Sequence, residues 1–293
     1  TQNQSSAASD VYKRQSHPPS QNRVIANRAR AQNFSGGLRY RDRYQTAIRQ
    51  LLKDAPAYDY ANDARSELKN KNPKKALLAL DSAVAIQSDE FSFWLMRGKA
   101  WKMLENKNNA VLAFSTSIKK NPSHFSAYLE RGMLLYDNGN RLKGIADIQK
   151  SYELLPTSAS SYYLGRWEME NNNYSNAVVY YRQAIEAPGK FSGLSGEQLV
   201  LAEQKLNPKS FLLGILVVRE SADLVVQLTN LATVPMINIE VQVSDGRTVN
   251  SLRWNKKINA KGSVLIKSGF TVGLADSGKR TFQVKVIRAS IFN

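Results

Sequence analysis

Two histidines, His17 and His124, and a complete lack of cysteine bound the chemistry open to this 293-residue chain. Without thiols there is no disulfide framework, thiolate zinc site or cysteine nucleophile. With the two histidines far apart, there is also no HExxH zinc motif. What remains is charge. Lys and Arg number 41 against 24 Asp and Glu, a formal net charge of +17, which points to acidic or polyanionic partners. The excess divides as +6 over residues 1–60, +4 over 61–189 and +7 over 190–293, so no block dominates. Near the C-terminus Lys256, Lys257, Lys261, Lys267, Lys279, Arg280 and Lys285 lie close to Trp254 and Phe270. Nucleic-acid binding wants aromatics interleaved with basic residues on one face. Most of these basic residues instead flank turns or take the outward side of strands, where lysine discourages edge pairing. A basic nucleic-acid or polyanion binder is therefore an alternative, behind protein binding. No apolar run reaches the ~20 residues that a membrane helix needs, and the N-terminus lacks a signal-peptide pattern.

The elements that must position any site are set by an internal repeat. Trp94, Gly98, Trp101, Ala110, Phe114 and Pro122 recur 34 residues later as Tyr128, Gly132, Leu135, Gly144, Ile148 and Pro156. Leu164, Gly165, Ala177, Tyr181 and Ala184 make a copy 33 residues further on, and Tyr60, Ala64, Ala76, Leu80 and Ala83 an earlier one. The pattern resembles the tetratricopeptide repeat, in which small residues at the eighth and twentieth positions let two helices approach and a proline often ends the second. The resemblance implies an α-solenoid over 38–206, with repeats at about 57–90, 91–124, 125–157 and 158–190 and flanking helices. Departures are Ser88 in place of the first proline, Gly144 in place of alanine, and one residue lost before the last copy. Ser195 is placed to cap a short amphipathic helix, Gln198 to Leu206, ended by Asn207-Pro208. A further helix is expected around Arg39 to Lys53, with Tyr40, Tyr44, Ile48 and Leu51 at helical spacing and packed on the first repeat.

Beyond Phe211 the period changes from 3.6 to 2. Ile237, Ile239, Val241 and Val243 alternate with polar residues, as do Phe282, Val284 and Val286, and Ser244-Asp245-Gly246 marks a hairpin turn. About seven short strands are expected in 211–293, as an all-β immunoglobulin-like sandwich. Asn230 to Val243, an asparagine at a strand end followed by Pro235 and an alternating strand, resembles the FxLyD-type modules of bacterial extracytoplasmic proteins.

The N-terminus divides in two. Asp10-Val11-Tyr12-Lys13-Arg14-Gln15 is what GAT GTG TAT AAG AGA CAG encodes, which resembles a transposase mosaic end used as a sequencing adapter. Residues 1–15 are accordingly expected to be a sequencing artefact or a disordered tail. Ser16-His17-Pro18-Pro19-Ser20-Gln21-Asn22-Arg23-Val24, followed by the helical Ile25 to Ala29, resembles the end of the peptidase domain in HExxH zinc metallopeptidases related to the CAAX-prenyl proteases. In their bacterial branch, the beta-barrel assembly-enhancing proteases, tetratricopeptide repeats follow that domain. The resemblance implies that 16–37 is the remnant of a peptidase domain and that the parent carries zinc. It also implies a periplasmic or otherwise extracytoplasmic compartment. His17 could reach such a zinc only with the upstream domain present, and a loop histidine fixing the His-Pro turn is the alternative. No catalytic residue and no cofactor is assigned to this chain itself. His124, beside Pro122, reads as a turn or packing residue.

In the repeat family the first helices line a groove, and the resemblance assigns its contacts by position. The fifth gives Leu95, Leu129 and Tyr162; the ninth gives Arg65, Lys99, Met133 and Arg166; the twelfth and thirteenth add Lys69, Lys102, Met103, Tyr136 and Met169. The expected groove is basic at its N-terminal end and aromatic and methionine-rich beyond. That suits an extended peptide with a carboxylate or acidic side chains and apolar anchors. The asparagines of the family's carboxylate-clamp version are absent at these positions. The chain is thus expected to be a protein- or peptide-binding scaffold, the non-catalytic part of an envelope quality-control metallopeptidase. A stand-alone adaptor is the alternative.

Overall fold

The computed structural model describes residues 21–32, 41–186, 189–273 and 280–292. The chain forms two compact units, 1–55 and 56–293. In the first, α1 spans Gln21–Gln32. The helix α2, Arg41–Lys69, starts there and runs on through Pro56, so the helix expected around Arg39 to Lys53 is the first half of a longer one. Pro56 lies inside α2, has no N–H to donate to the Leu52 carbonyl and crowds that carbonyl with its ring, a local cost offset by the packing of Ala57, Ala61 and Ala64 in the C-terminal half. Tyr44, Leu51 and Leu52 are exposed. Residues 1–20 and 33–40, among them His17 and Tyr40, lie outside the described residues.

The second unit opens with helix pairs. The C-terminal half of α2 pairs with α3 (Pro73–Ile86), α4 (Phe91–Met103) with α5 (Lys107–Lys120), α6 (Phe125–Asp137) with α7 (Arg141–Leu154), and α8 (Ser158–Glu170) with α9 (Tyr174–Glu186). Each turn within a pair places one residue in the left-handed region: Lys71, Glu105, Gly139 and Asn172. An asparagine follows each of them, at Asn72, Asn106, Asn140 and Asn173, and its carbonyl accepts the first helical N–H of α3, α5, α7 and α9. Where the helices cross, a Cβ on Gly98 would sit 2.3 Å from the ring of Phe114, which is fully buried. The glycine is therefore a steric requirement of the pair, and the ring it admits contributes about 2–3 kcal/mol of burial.

A helix α10, Lys190–Leu206, closes the array. The expected short helix from Gln198, capped by Ser195, is corrected: Ser195 is buried in the middle of a longer helix and its hydroxyl has no partner. Packing of α10 on α8 and α9 overrides the weak local preference of Gly193 and Gly196. The far end of α10 reaches the strands, where buried Gln204 accepts a hydrogen bond from the Thr233 hydroxyl at 3.0 Å.

After a 3-10 turn at Pro208–Phe211 come β1 (Leu212–Val218), β2 (Asp223–Asn230), β3 (Met236–Ser244), β4 (Val249–Trp254), β5 (Ser263–Thr271) and β6 (Gln283–Ile291). These are six strands among the described residues rather than about seven. They form two three-stranded antiparallel sheets, β1-β2-β5 and β4-β3-β6. One core joins them: Val226 and Leu228 from the first sheet meet Met236, Ile239, Val241 and Val243 from the second. The Asp245 carboxylate accepts the backbone N–H groups of Arg247 and Thr248 at 2.9 and 2.7 Å, closing the β3–β4 turn. These bonds hold its pKa below the ordinary value. Asn230, fully buried, donates to the carbonyls of Val234, Ile258 and Asn259 and accepts from Ala232 N–H. It pins the β2–β3 and β4–β5 loops together, a structural task with no polar atom left over.

Candidate functional site

The expected groove residues separate by burial and by partner. Leu95, Leu129 and Tyr136 are buried, the last only 1% exposed, so they form core rather than surface. Leu95 and Tyr136 turn inward because they join cores shared with the following helix pair, Leu95 with Ala127 and Tyr136 with Tyr163 and Leu164. Met133, Tyr162 and Met169 are half-buried against the same cores. Arg65 and Lys69 are exposed, and the Arg65 guanidinium donates to the Asn62 side chain at 2.6 Å.

Arg166 belongs to a closed cluster. Its guanidinium carbon lies 5.0, 5.2 and 5.9 Å from the ring centres of Tyr136, Tyr163 and Tyr162. Asp137 accepts from Arg166 at 3.1 Å and from the Tyr163 hydroxyl at 2.5 Å. Burial first, then the Asp137 bond, raise the Tyr163 pKa well above its ordinary value. Burial and the nearby Glu170 carboxylate do the same for Tyr136, although its hydroxyl makes no hydrogen bond.

Lys99, Lys102 and Met103 come together differently. With Glu130 of the next repeat they line a shallow pocket of about 410 Å3. The Glu130 carboxylate sits 2.7 Å from Lys102 Nζ and 3.7 Å from Lys99 Nζ. Two ammonium groups thus share one carboxylate, leaving a net positive charge in the pocket, and Met103, 42% exposed, gives it an apolar wall. Glu130 is the residue that sequence reasoning missed: it lies 28 residues from Lys102 and takes no groove position of the family. Nearby His124 caps α6 by accepting from Ser126 N–H at 3.4 Å and stacks on Phe125. Burial, then the Lys99 charge, lower its pKa from the ordinary 6.5.

Elsewhere the chemistry is thin. Among the described residues no group of three His, Cys, Asp or Glu could hold a metal, so they offer zinc no site. His17 lies outside them. In the β region Trp254 and Phe270 pack against the core, while Lys257 stacks on Phe292 and Lys261 donates to the Leu231 carbonyl. The aromatics therefore do not alternate with the lysines on a common surface. No helix among the described residues is long and apolar enough to cross a membrane.

No protein-family model matches the chain, and no curated protein matches it. Solved structures do. MamA from Desulfovibrio magneticus RS-1 is 18% identical over 51% of this chain and 90% of its own, with a TM-score of 0.42. TTC0263, a tetratricopeptide protein of Thermus thermophilus, is 20% identical over 47% and 78%, with a TM-score of 0.41. The first tetratricopeptide domain of Spaghetti (RPAP3), bound to the HSP90 peptide SRMEEVD, is 16% identical over 35% and 82%, with a TM-score of 0.34. All three scores lie below 0.5, so the architecture rests on this chain's own helix pairs. Those pairs recur about every 34 residues with small residues at the crossings, which is the fold of a tetratricopeptide array.

Proposed function

We propose that the helical array is a binding scaffold for an extended peptide or protein segment carrying a carboxylate beside an apolar side chain. The observation that carries this reading is the pocket of Lys99, Lys102, Met103 and Glu130. An incoming carboxylate would first take Lys99, whose contact with Glu130 is the looser at 3.7 Å. It would gain a charge-assisted hydrogen bond while Lys102 kept its own partner. The thioether of Met103 adapts to varied apolar neighbours. The test is fluorescence anisotropy with labelled acidic peptides, each made with a free and an amidated C-terminus. The Lys99→Ala/Lys102→Ala chain is expected to bind about tenfold or more weakly, from two lost charge-assisted contacts. Equal affinity of parent and variant would sink the assignment.

In the longer view the chain is the non-catalytic part of an extracytoplasmic zinc metallopeptidase in envelope quality control, working in the periplasm. The array would present partners or damaged substrates, and the β region, read as an FxLyD-like immunoglobulin module, would add a second contact. Support comes from the Ser16 to Val24 pattern standing directly before helix and repeats. Sequencing the source gene upstream of Ser16 decides it: an in-frame HExxH domain is expected, and a start codon just before Ser16 would leave a stand-alone adaptor.

A further inference from the structure

The second helices carry a feature of their own, on the side turned away from the cores. Leu78, Leu112, Ala146 and Val179 occupy the same place in successive repeats. All are exposed, with Leu78 at 70%, Leu112 at 65% and Val179 at 53%. Leu142, one turn before Ala146, is 74% exposed. Residues at equivalent repeat positions line up along a solenoid, so these side chains form an apolar row crossing four helices.

Charge flanks the row. Lys74 and Lys75 precede Leu78 by one turn, Lys143 precedes Ala146 by one turn, and Lys119 follows Leu112 by two. All four are exposed, and none has an ion pair among the described residues. The exposed acidic residues of these helices are Asp81, Glu153 and Glu186. Asp81 is held by Arg97 and Glu153 by Lys150. Beside Leu112 a notch of about 210 Å3 opens between Trp94 and Trp101.

Protein interfaces are depleted in lysine. Exposed leucines among free lysines, with tryptophan at the margin, match the headgroup zone of an anionic bilayer: apolar tips enter, ammonium groups meet phosphates, and indole rings sit at the boundary. We infer that the outer face of α3, α5, α7 and α9 docks on an anionic lipid surface. The contact is peripheral and leaves the Lys99–Lys102 pocket on the first helices free.

The test is co-sedimentation of the full chain with vesicles, of phosphatidylcholine alone or mixed equally with phosphatidylglycerol. Binding is expected to the mixed vesicles only, to weaken with added salt, and to shift tryptophan emission to the blue. Leu78→Ser/Leu112→Ser/Val179→Ser, with folding checked by circular dichroism, is expected to lower partitioning about tenfold or more while leaving acidic-peptide affinity unchanged. Lys74→Gln/Lys75→Gln/Lys143→Gln is expected to flatten the salt dependence. Failure of the parent chain to sediment with mixed vesicles overturns the inference, as does undiminished sedimentation of the serine variant. So does a parent that is dimeric without lipid and made monomeric by the serines, since the row would then be a contact between copies.

Discussion

Around Arg166 the third and fourth repeats pair their charges with one another, whereas around Lys99 the second and third leave one ammonium over. Arg166, Asp137 and Tyr163 close a circuit walled by three tyrosine rings, and a ligand entering there would have to break bonds already made. At Lys99 a single carboxylate serves two lysines on a half-exposed surface. Equivalent repeat positions therefore do not make equivalent sites; the difference lies in the acidic residue that a neighbouring repeat supplies, Asp137 from the repeat before Arg166 and Glu130 from the repeat after Lys99.

That contrast can be broken most forcefully at Tyr136. Tyr136→Ala is expected to cost about 3–5 kcal/mol in urea unfolding, because it empties the core of the third repeat. A loss comparable to that of an exposed residue would mean the cluster is not closed. The two phenols then sharpen the picture. Tyr163→Phe is expected to cost about 1.5 kcal/mol by removing a bond to a carboxylate, while Tyr136→Phe removes a buried hydroxyl without a partner and is expected to be neutral or stabilising. At the open site, Glu130→Gln is expected to change stability by less than about 0.5 kcal/mol, since its partners are exposed lysines. Acidic-peptide affinity should rise severalfold in the same variant, and an unchanged affinity would show that Glu130 does not compete with the ligand. The smallest effect concerns His124. The fold resists its protonation, so its contribution is fully present above the ordinary pKa of 6.5 and is lost as pH falls from there through the lowered folded value. Melting temperature should fall as pH drops below about 6.5, and His124→Asn, which keeps the cap, should flatten the fall.

Much of the array was legible because its determinants are local and periodic: glycines at the helix crossings, alanines opposite them, strands that alternate. A further periodic signal went unread. Asn72, Asn106, Asn140 and Asn173 each follow a left-handed turn residue. Their spacing repeats as faithfully as that of the glycines, and among the turn residues Gly139 and Asn172 suggest the left-handed backbone while Lys71 and Glu105 do not. The site was legible in its lysines and in Met103, but not in its balance of charge. Glu130 reaches Lys102 across a repeat boundary, and nothing in either local sequence announces that meeting. Burial of Leu95, Leu129 and Tyr136 was hidden for a similar reason, since the neighbouring pair decides which face of a first helix is covered. Ser195 misled because its cap-forming side chain suggested a helix start, and tertiary packing carried the helix past it.

The third repeat departs from its neighbours where its helices cross. A Cβ on Gly144 would stand 2.6 Å from the Tyr136 nitrogen and 2.8 Å from the Gly132 carbonyl oxygen, and one on Gly132 would stand 2.9 Å from the Gly144 carbonyl oxygen. These obstacles are backbone, which cannot rotate aside as a side chain can. The other second helices carry alanine at the place of Gly144, at Ala76, Ala110 and Ala177. Repeats that look like interchangeable modules are therefore not so: an evolutionary shuffle or a designed duplication that put another repeat's second helix against α6 would introduce the one methyl group that this crossing has no room for.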